Sequence, residues 1–198
     1  MAVDAYMAFV EFENKPLKAE SMVNMANNDE SLATVGPISL KTLASAGQLF
    51  EVKDYSFSVE QKLNIGSQSM GIGAGKVTFN TFSVTRKIDI ASPIFFRKAC
   101  AGTPFQHVIL ACRKSSGGLT AGAVFLRFDF KLVGVTKIDF KSDEESPEET
   151  VEFEYGGLSV RYCRQKPDGT FDSAIQGGWL RVNNVVDAQP DSWMKGTG

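Results

Sequence analysis

Histidine occurs once in the 198 residues, at His107, and cysteine three times, at Cys100, Cys112 and Cys163. With a single imidazole, any Ser-His-Asp or Cys-His site would have to be built on His107. That residue lies in FQHVILACRK, a strand pattern in which a strand-face histidine is the ordinary case. The thiols are an odd set at wide spacings, with no metal-ligand pair and no disulfide framework. They read as three buried or half-buried side chains. An excess of one charge is missing too: 21 Lys and Arg against 23 Asp and Glu leave a formal net charge of −2. That balance gives no general attraction to nucleic acid or to an anionic membrane. No window holds the long uncharged apolar run of a transmembrane helix, so no stable membrane insertion is expected. The opening MAVDAYMAFVEFENK has Asp4 and Glu11 and no basic start, so a signal peptide is not expected.

Motifs that would carry chemistry are absent or incomplete. GIGAGK, residues 71–76, falls short of a phosphate loop because its first glycine would fall at Met70 and Val77 replaces the required Ser or Thr. It also runs into a strand, with no helix N-terminus for a phosphate. The acidic run at residues 143–149 lacks the alternating ligands and glycine turn of a calcium loop. No carboxylate pair is placed for glycoside hydrolysis. Aromatic and basic residues interleave, but without the basic stripe of a single-strand nucleic-acid binder. These observations predict no enzyme activity, no cofactor and no metal.

What is present is β pattern and phenylalanine, of which there are fifteen. Residues 4–12 read as a first strand with apolar residues at both parities, so both faces are covered, one of them by a neighbouring subunit. Residues 14–47 carry no sustained alternation, with a short helix within 37–46. Residues 49–65 form a long strand: Tyr55, Phe57 and Val59 face one way, and Ser56, Ser58 and Glu60 the other, toward water or a solvated lumen. A glycine-rich connection follows. The strand after it changes parity between Phe79 and Phe82, predicting a bulge near Asn80 or Thr81.

Residues 92–101 carry the clearest helix signals. Ser92 is placed to cap it, Pro93 fits its first position, and Gly102 suits a left-handed stop before Pro104. Phe95 with Ala99, and Phe96 with Cys100, are spaced to share sides. In residues 121–140, Val124, Leu126, Phe128, Phe130 and Leu132 point one way and Arg127, Asp129 and Lys131 the other, with Ile138 and Phe140 on the core parity and a bend at Gly134. Gly156 and Gly157 mark a kink in the next strand, and a last strand surrounds Trp179. No repeat or domain linker interrupts the chain. A single mainly β domain follows, with an extended loop at about 14–47 and a loose tail at about 187–198.

In this order the motifs resemble the haemolysin-coregulated protein family, the tube subunit of bacterial type VI secretion. MAVD with its strand is similar to the family's start, and EVKDYSF, residues 51–57, to its second strand. The glycine-rich loop with GKV, then KIDIASPIFFRKACAG, resembles its strand-helix signature. VRYCRQKPDGTFDSAIQGGWLRVNN resembles its closing strand, turn and strand. KAES at residues 18–21 looks like the family's KGES turn, although the segment up to Gly47 and the tail are longer than usual.

The resemblance implies a compact β-barrel of two packed antiparallel sheets with one short flanking helix. It implies hexameric rings that stack into a tube inside a contractile sheath. That tube bears a spike, holds effectors in its lumen, and is expelled from the cytoplasm without a signal peptide. On this reading Ser56 and Ser58 face the lumen. Gly66, Ser69, Gly71, Gly73 and Gly75 lie on a loop that contacts the adjacent ring. Two other readings stay open: the tube of a related contractile injection system, and a monomeric β-sandwich that binds a ligand through its loops.

Overall fold

The computed structural model describes residues 3–23, 25, 32, 38–64, 73–74, 77–114, 122–142, 146–168 and 170–187. In chain order the elements are β1 (Val3–Glu11), β2 (Lys15–Pro16), α1 (Leu40–Ser45), β3 (Phe50–Val52), β4 (Asp54–Ser56), β5 (Val59–Glu60), β6 (Leu63–Asn64), β7 (Gly73–Ala74), β8 (Thr78–Phe79) and β9 (Phe82–Lys87). Then come α2 (Ser92–Ala101), β10 (Phe105–Lys114), β11 (Val124–Lys141), β12 (Glu148–Tyr162), β13 (Ile175–Leu180) and β14 (Val185–Val186).

The expected mainly β fold with a flanking helix is observed. Its principal strands share one antiparallel sheet, ordered β14-β13-β12-β11-β10-β1-β2, with β3 on β1, β9 on β12 and β4 on β9. Residues 50–56 reach both ends of this sheet. Their first half pairs with β1 through Ala5 and Val52, and their second half pairs with β9 through Tyr55 and Val84. Between the halves the Lys53 N–H donates to the Thr85 carbonyl at 2.9 Å. The strand expected over 49–65 is therefore several short ones, because a strongly coiled sheet makes the chain change partners as it travels round.

The inner face is packed with aromatic rings. Phe9, Phe50, Phe82, Phe95, Phe105, Phe130 and Phe153 are all buried. Phe9 meets Phe95 edge-on with centroids 4.7 Å apart, and Phe82 stacks on Phe130 at 4.5 Å. These are the favourable geometries for ring quadrupoles. Where a bulge was expected near Asn80 or Thr81, the strand is interrupted between β8 and β9, which lets Phe79 and Phe82 both pack on this core.

The long β11–β12 hairpin reverses its faces at one place. Leu132 has φ of 51°, in the left-handed region, and is 44% exposed instead of inward-facing. Inward parity passes from Phe128 and Phe130 to Val133 and Val135. On β12 it passes at Gly156 from Tyr155 to Leu158, with the register intact on both sides. The kink expected at Gly156 and Gly157 is thus present, whereas the bend expected at Gly134 is made at Leu132. A Cβ on Gly156 would stand 3.4 Å from the Leu132 Cβ and 3.3 Å from Val182 Cγ2. A bulge at Thr136 then returns Ile138 to the core, but Phe140 is 54% exposed.

α2 ends as expected on Gly102, at φ of 64°. Its start differs from expectation. The Ser92 hydroxyl donates to buried Glu149 at 2.9 Å and accepts from Arg86 and from the Asp89 N–H, so it does not cap the helix. Asp89 instead accepts from the Ala91 N–H at 2.8 Å. Phe95 enters the core, while Phe96 and Cys100 face outward. Cys112 and Cys163 are buried as expected; Cys100 is exposed, on the same side of α2 as the exposed Phe96. Lys98 is buried, 3.0 Å from Glu11 and 4.5 Å from the Phe105 ring centroid.

The chain itself, with no neighbouring subunit, covers the second face of β1 and β10. Met25, Leu32, Leu40, Leu43 and Leu49 pack on Tyr6, Ala8, Ile109 and Ala111. α1 belongs to this cover, with the Ser39 hydroxyl accepting from the Thr42 N–H at 3.4 Å. Among the described residues, no helix is long and apolar enough to cross a membrane.

Candidate assembly surfaces

The ribbon of β4 and β5 carries the first candidate surface. Tyr55 and Phe57 turn inward: Phe57 lies 5.2 Å from Phe128 and 5.9 Å from Phe130, ring to ring. The Tyr55 hydroxyl lies 3.2 Å from the Cys112 sulfur, and burial pushes its pKa up. The alternation of a strand then places Ser56 and Ser58 on the opposite side, and both are exposed. Asn80 fixes this side by donating to the Ser58 hydroxyl at 2.6 Å and to Glu60 at 2.9 Å. Val59, expected to face inward with Phe57, is 48% exposed, because β5 has left the main sheet to pair with β8 alone.

Of the glycine-rich loop, Gly73 lies in β7 and pairs with Asn64 of β6. Gly66, Ser69, Gly71 and Gly75 lie outside the described residues.

A polar cluster on the outer face was not foreseen at all. Arg127, Asp129 and Lys131 alternate with the core residues, which suggests a solvated face. Yet Arg127, Asp129, Arg161 and His107 are all buried. Asp129 is the hub: it accepts from Arg127 Nη2 at 2.8 Å, from Arg161 Nη1 at 2.8 Å, and lies 3.1 Å from His107 Nε2. Burial by itself would raise its pKa. The Arg127 charge and the His107 contact more than offset this, and hold the carboxyl well below the usual range. Arg127 also donates to the Leu32 carbonyl at 3.2 Å, which ties the covering segment to the sheet. The His107–Asp129 pair is sealed from solvent, so it serves cohesion and offers no substrate a way in. A useful sequence signal was the run from Ala5 to Val10, apolar at both parities: a face covered there on β1 had to be covered on β10 and β11 as well.

A third feature is an open groove of about 610 Å³ where the edge of β12 divides between β9 and β13. Val77, Phe79, Leu132 and Val182 wall it, and Tyr155 and Gly156 lie at its base. Arg181 is placed over the rings of Phe79 and Tyr155, at 5.2 and 4.9 Å, and pairs with Glu154 at 2.6 Å. Among the described residues no group of three or more His, Cys, Asp and Glu is arranged to hold a metal.

The family model described as "Type VI secretion system effector, Hcp" matches residues 41–162. The chain belongs to this family. Hcp proteins are structural tube proteins and not enzymes. No curated protein matches the chain. Its fold is shared with a solved type six secretion system protein at 20% identity and a TM-score of 0.70, over 94% of this chain and 100% of that one. Hcp1 from Salmonella typhimurium matches at 19% identity and a TM-score of 0.59, over 94% and 100%. Hcp3 from Pseudomonas aeruginosa matches at 14% identity and a TM-score of 0.55, over 88% and 97%. The family match starts at α1 and ends with β12. β1, most of the covering segment, and β13 with β14 lie outside it.

Proposed function

We propose that this Hcp-family chain is a structural subunit of the type VI inner tube, assembling into hexameric rings that stack, are expelled by a contractile sheath and carry effectors in the lumen. Family membership carries this reading. The two-sided strand of β4 and β5 supports it: a subunit lining a hollow tube needs one side anchored in its core and the other side polar and open. Tyr55 and Phe57 supply the anchor, and Ser56 and Ser58 supply the lumen side. The loop bearing Gly66, Ser69, Gly71, Gly73 and Gly75 reaches the adjacent ring. The other partners are the spike and the secreted effectors. The protein resides in the bacterial cytoplasm before firing and is then secreted through the machine.

Electron microscopy of the purified chain tests the assembly. Six-fold rings are expected, and monodisperse monomers at every concentration would sink the proposal. Ser56→Trp tests the lumen assignment. It should leave rings intact and reduce cargo loading, and unchanged loading would show that Ser56 lies elsewhere. Deleting residues 66–75 should abolish stacking while leaving single rings.

A further inference from the structure

The strand that carries Ser56 and Ser58 does not end with the main sheet. Beyond Ser58, and before Asn80 on the returning strand, the chain forms a ribbon, β5 on β8 and then β6 on β7. Among the described residues these strands pair only with each other and with no strand of the main sheet. A two-stranded ribbon alone in water is at best marginally stable. Its direction has to be fixed at its base.

The base is a change of register. Ser56 faces Ser83 and Val59 faces Phe79, so a step of three residues on one strand spans a step of four on the other. An extra residue of this kind bends a strand pair and increases its twist. Two groups hold the bend. On the core side Phe79 lies against Tyr155, with ring centroids 6.2 Å apart, and Arg181 stands over its ring at 5.2 Å. Apolar packing of this sort is non-directional and tolerates tilt. On the polar side Asn80 makes directed bonds to the opposite strand. Its N–H donates to the Ser58 carbonyl at 3.0 Å. Its side-chain amide donates to the Ser58 hydroxyl at 2.6 Å and to the Glu60 carboxylate at 2.9 Å. An ionised carboxylate only accepts, so the amide nitrogen is the end that faces Glu60, and the charge strengthens that bond.

The ribbon is a long lever. At about 3.3 Å per residue, Ala74 lies up to about 20 Å from Asn80, and a tilt of about 10° at the base moves that end by up to about 3–4 Å. A shift of that size takes packed side chains out of contact.

We propose that Asn80 is the positioning residue of this ribbon: its amide, tied to Ser58 and Glu60, sets the angle at which the ribbon leaves the main sheet and so the place at which the glycine-rich loop arrives. The consequence for stacking rests on the tube-subunit reading, in which that loop meets the adjacent ring. The positioning itself does not.

The test uses the full chain with spin labels at Cys100 on α2 and at K62C on the ribbon, both exposed positions, while Cys112 and Cys163 are buried. Labelled chain is diluted with unlabelled chain, so that one labelled copy is read per assembly. The parent should give one narrow distance. Asn80→Ala deletes both side-chain bonds, and Asn80→Asp sets a carboxylate against Glu60. Each should broaden the distance, and each should need at least about tenfold more protein to build stacked tubes. Circular dichroism and single rings should be unchanged, since the main sheet keeps its pairing. Combining Asn80→Asp with Glu60→Gln exchanges donor and acceptor. The glutamine amide then donates to the new carboxylate, so the narrow distance and the stacking should both return. A residue that only stabilised the fold would lower the unfolding midpoint without widening the distance. An unchanged narrow distance in both single variants would overturn the inference, as would a folded double variant as broad as Asn80→Asp. Broadening with undiminished stacking would uphold Asn80 and defeat the assignment of the loop to the adjacent ring.

Discussion

On the inner face of β11, Phe128 and Phe130 meet other rings; on its outer face, Arg127 and Asp129 are as deeply buried among ions. The two faces show how differently a sheet can be sealed. Ring packing is non-directional and stabilises in proportion to the area removed from water. A buried charge cluster repays its desolvation only when every member is partnered, so it adds little net stability and specifies one arrangement. Here that arrangement fixes the covering segment, since Arg127 reaches from Asp129 to the Leu32 carbonyl. Inner-face mutations should therefore give graded losses, and outer-face mutations should fail as a unit.

The largest effect is expected at Phe9, whose ring touches Phe50, Phe95, Phe105 and Phe153. Phe9→Ala should cost about 3–5 kcal/mol in urea unfolding, through lost burial and the cavity left behind. A loss below 1 kcal/mol would mean that the rings repack freely.

Asp129→Ala comes next, at about 3 kcal/mol, because it leaves Arg127 and Arg161 facing each other without their shared carboxylate. The same residue sets an acid limit. Its folded pKa is depressed, so its contribution is complete above the unfolded value near 4 and is lost progressively as pH falls below it. Asp129→Asn should flatten the acid side of the stability profile. A profile superimposable on the parent's would remove Asp129 as the hub.

The smallest effect is expected at Tyr155. Among the described residues its buried hydroxyl has no partner, so Tyr155→Phe should change stability by no more than about 0.5 kcal/mol at neutral pH. The difference should emerge in alkali. Burial, the largest influence, raises this pKa to about 12, with Arg181 opposing. A raised folded pKa keeps its stability below the unfolded value near 10 and loses it as pH climbs toward 12. The phenylalanine variant should resist that loss, and an unchanged alkaline midpoint would count against it.

Much of this was legible in local pattern. Gly102 stops α2 because its positive φ is a local requirement, and the parity change between Phe79 and Phe82 reveals the break at Asn80 and Thr81. The two-sidedness of residues 55–58 follows from the geometry of a strand. Leu132 escaped because nothing in its identity announces a left-handed backbone; the hairpin imposes it where β11 and β12 reverse together. Ser92 escaped because a buried arginine and glutamate, distant in sequence, claim a hydroxyl that local rules assign to a cap.

By itself the sequence determined a β-rich domain with one well-bounded helix, an aromatic core and the motif order of the Hcp family, since these depend on periodicity, capping and neighbours along the chain. Only the tertiary structure decided that residues 50–56 bridge the sheet's two ends and that Asp129 is a buried hub. Each of these joins residues far apart in the chain. Alternation states that two faces exist, but only the completed fold states what covers them.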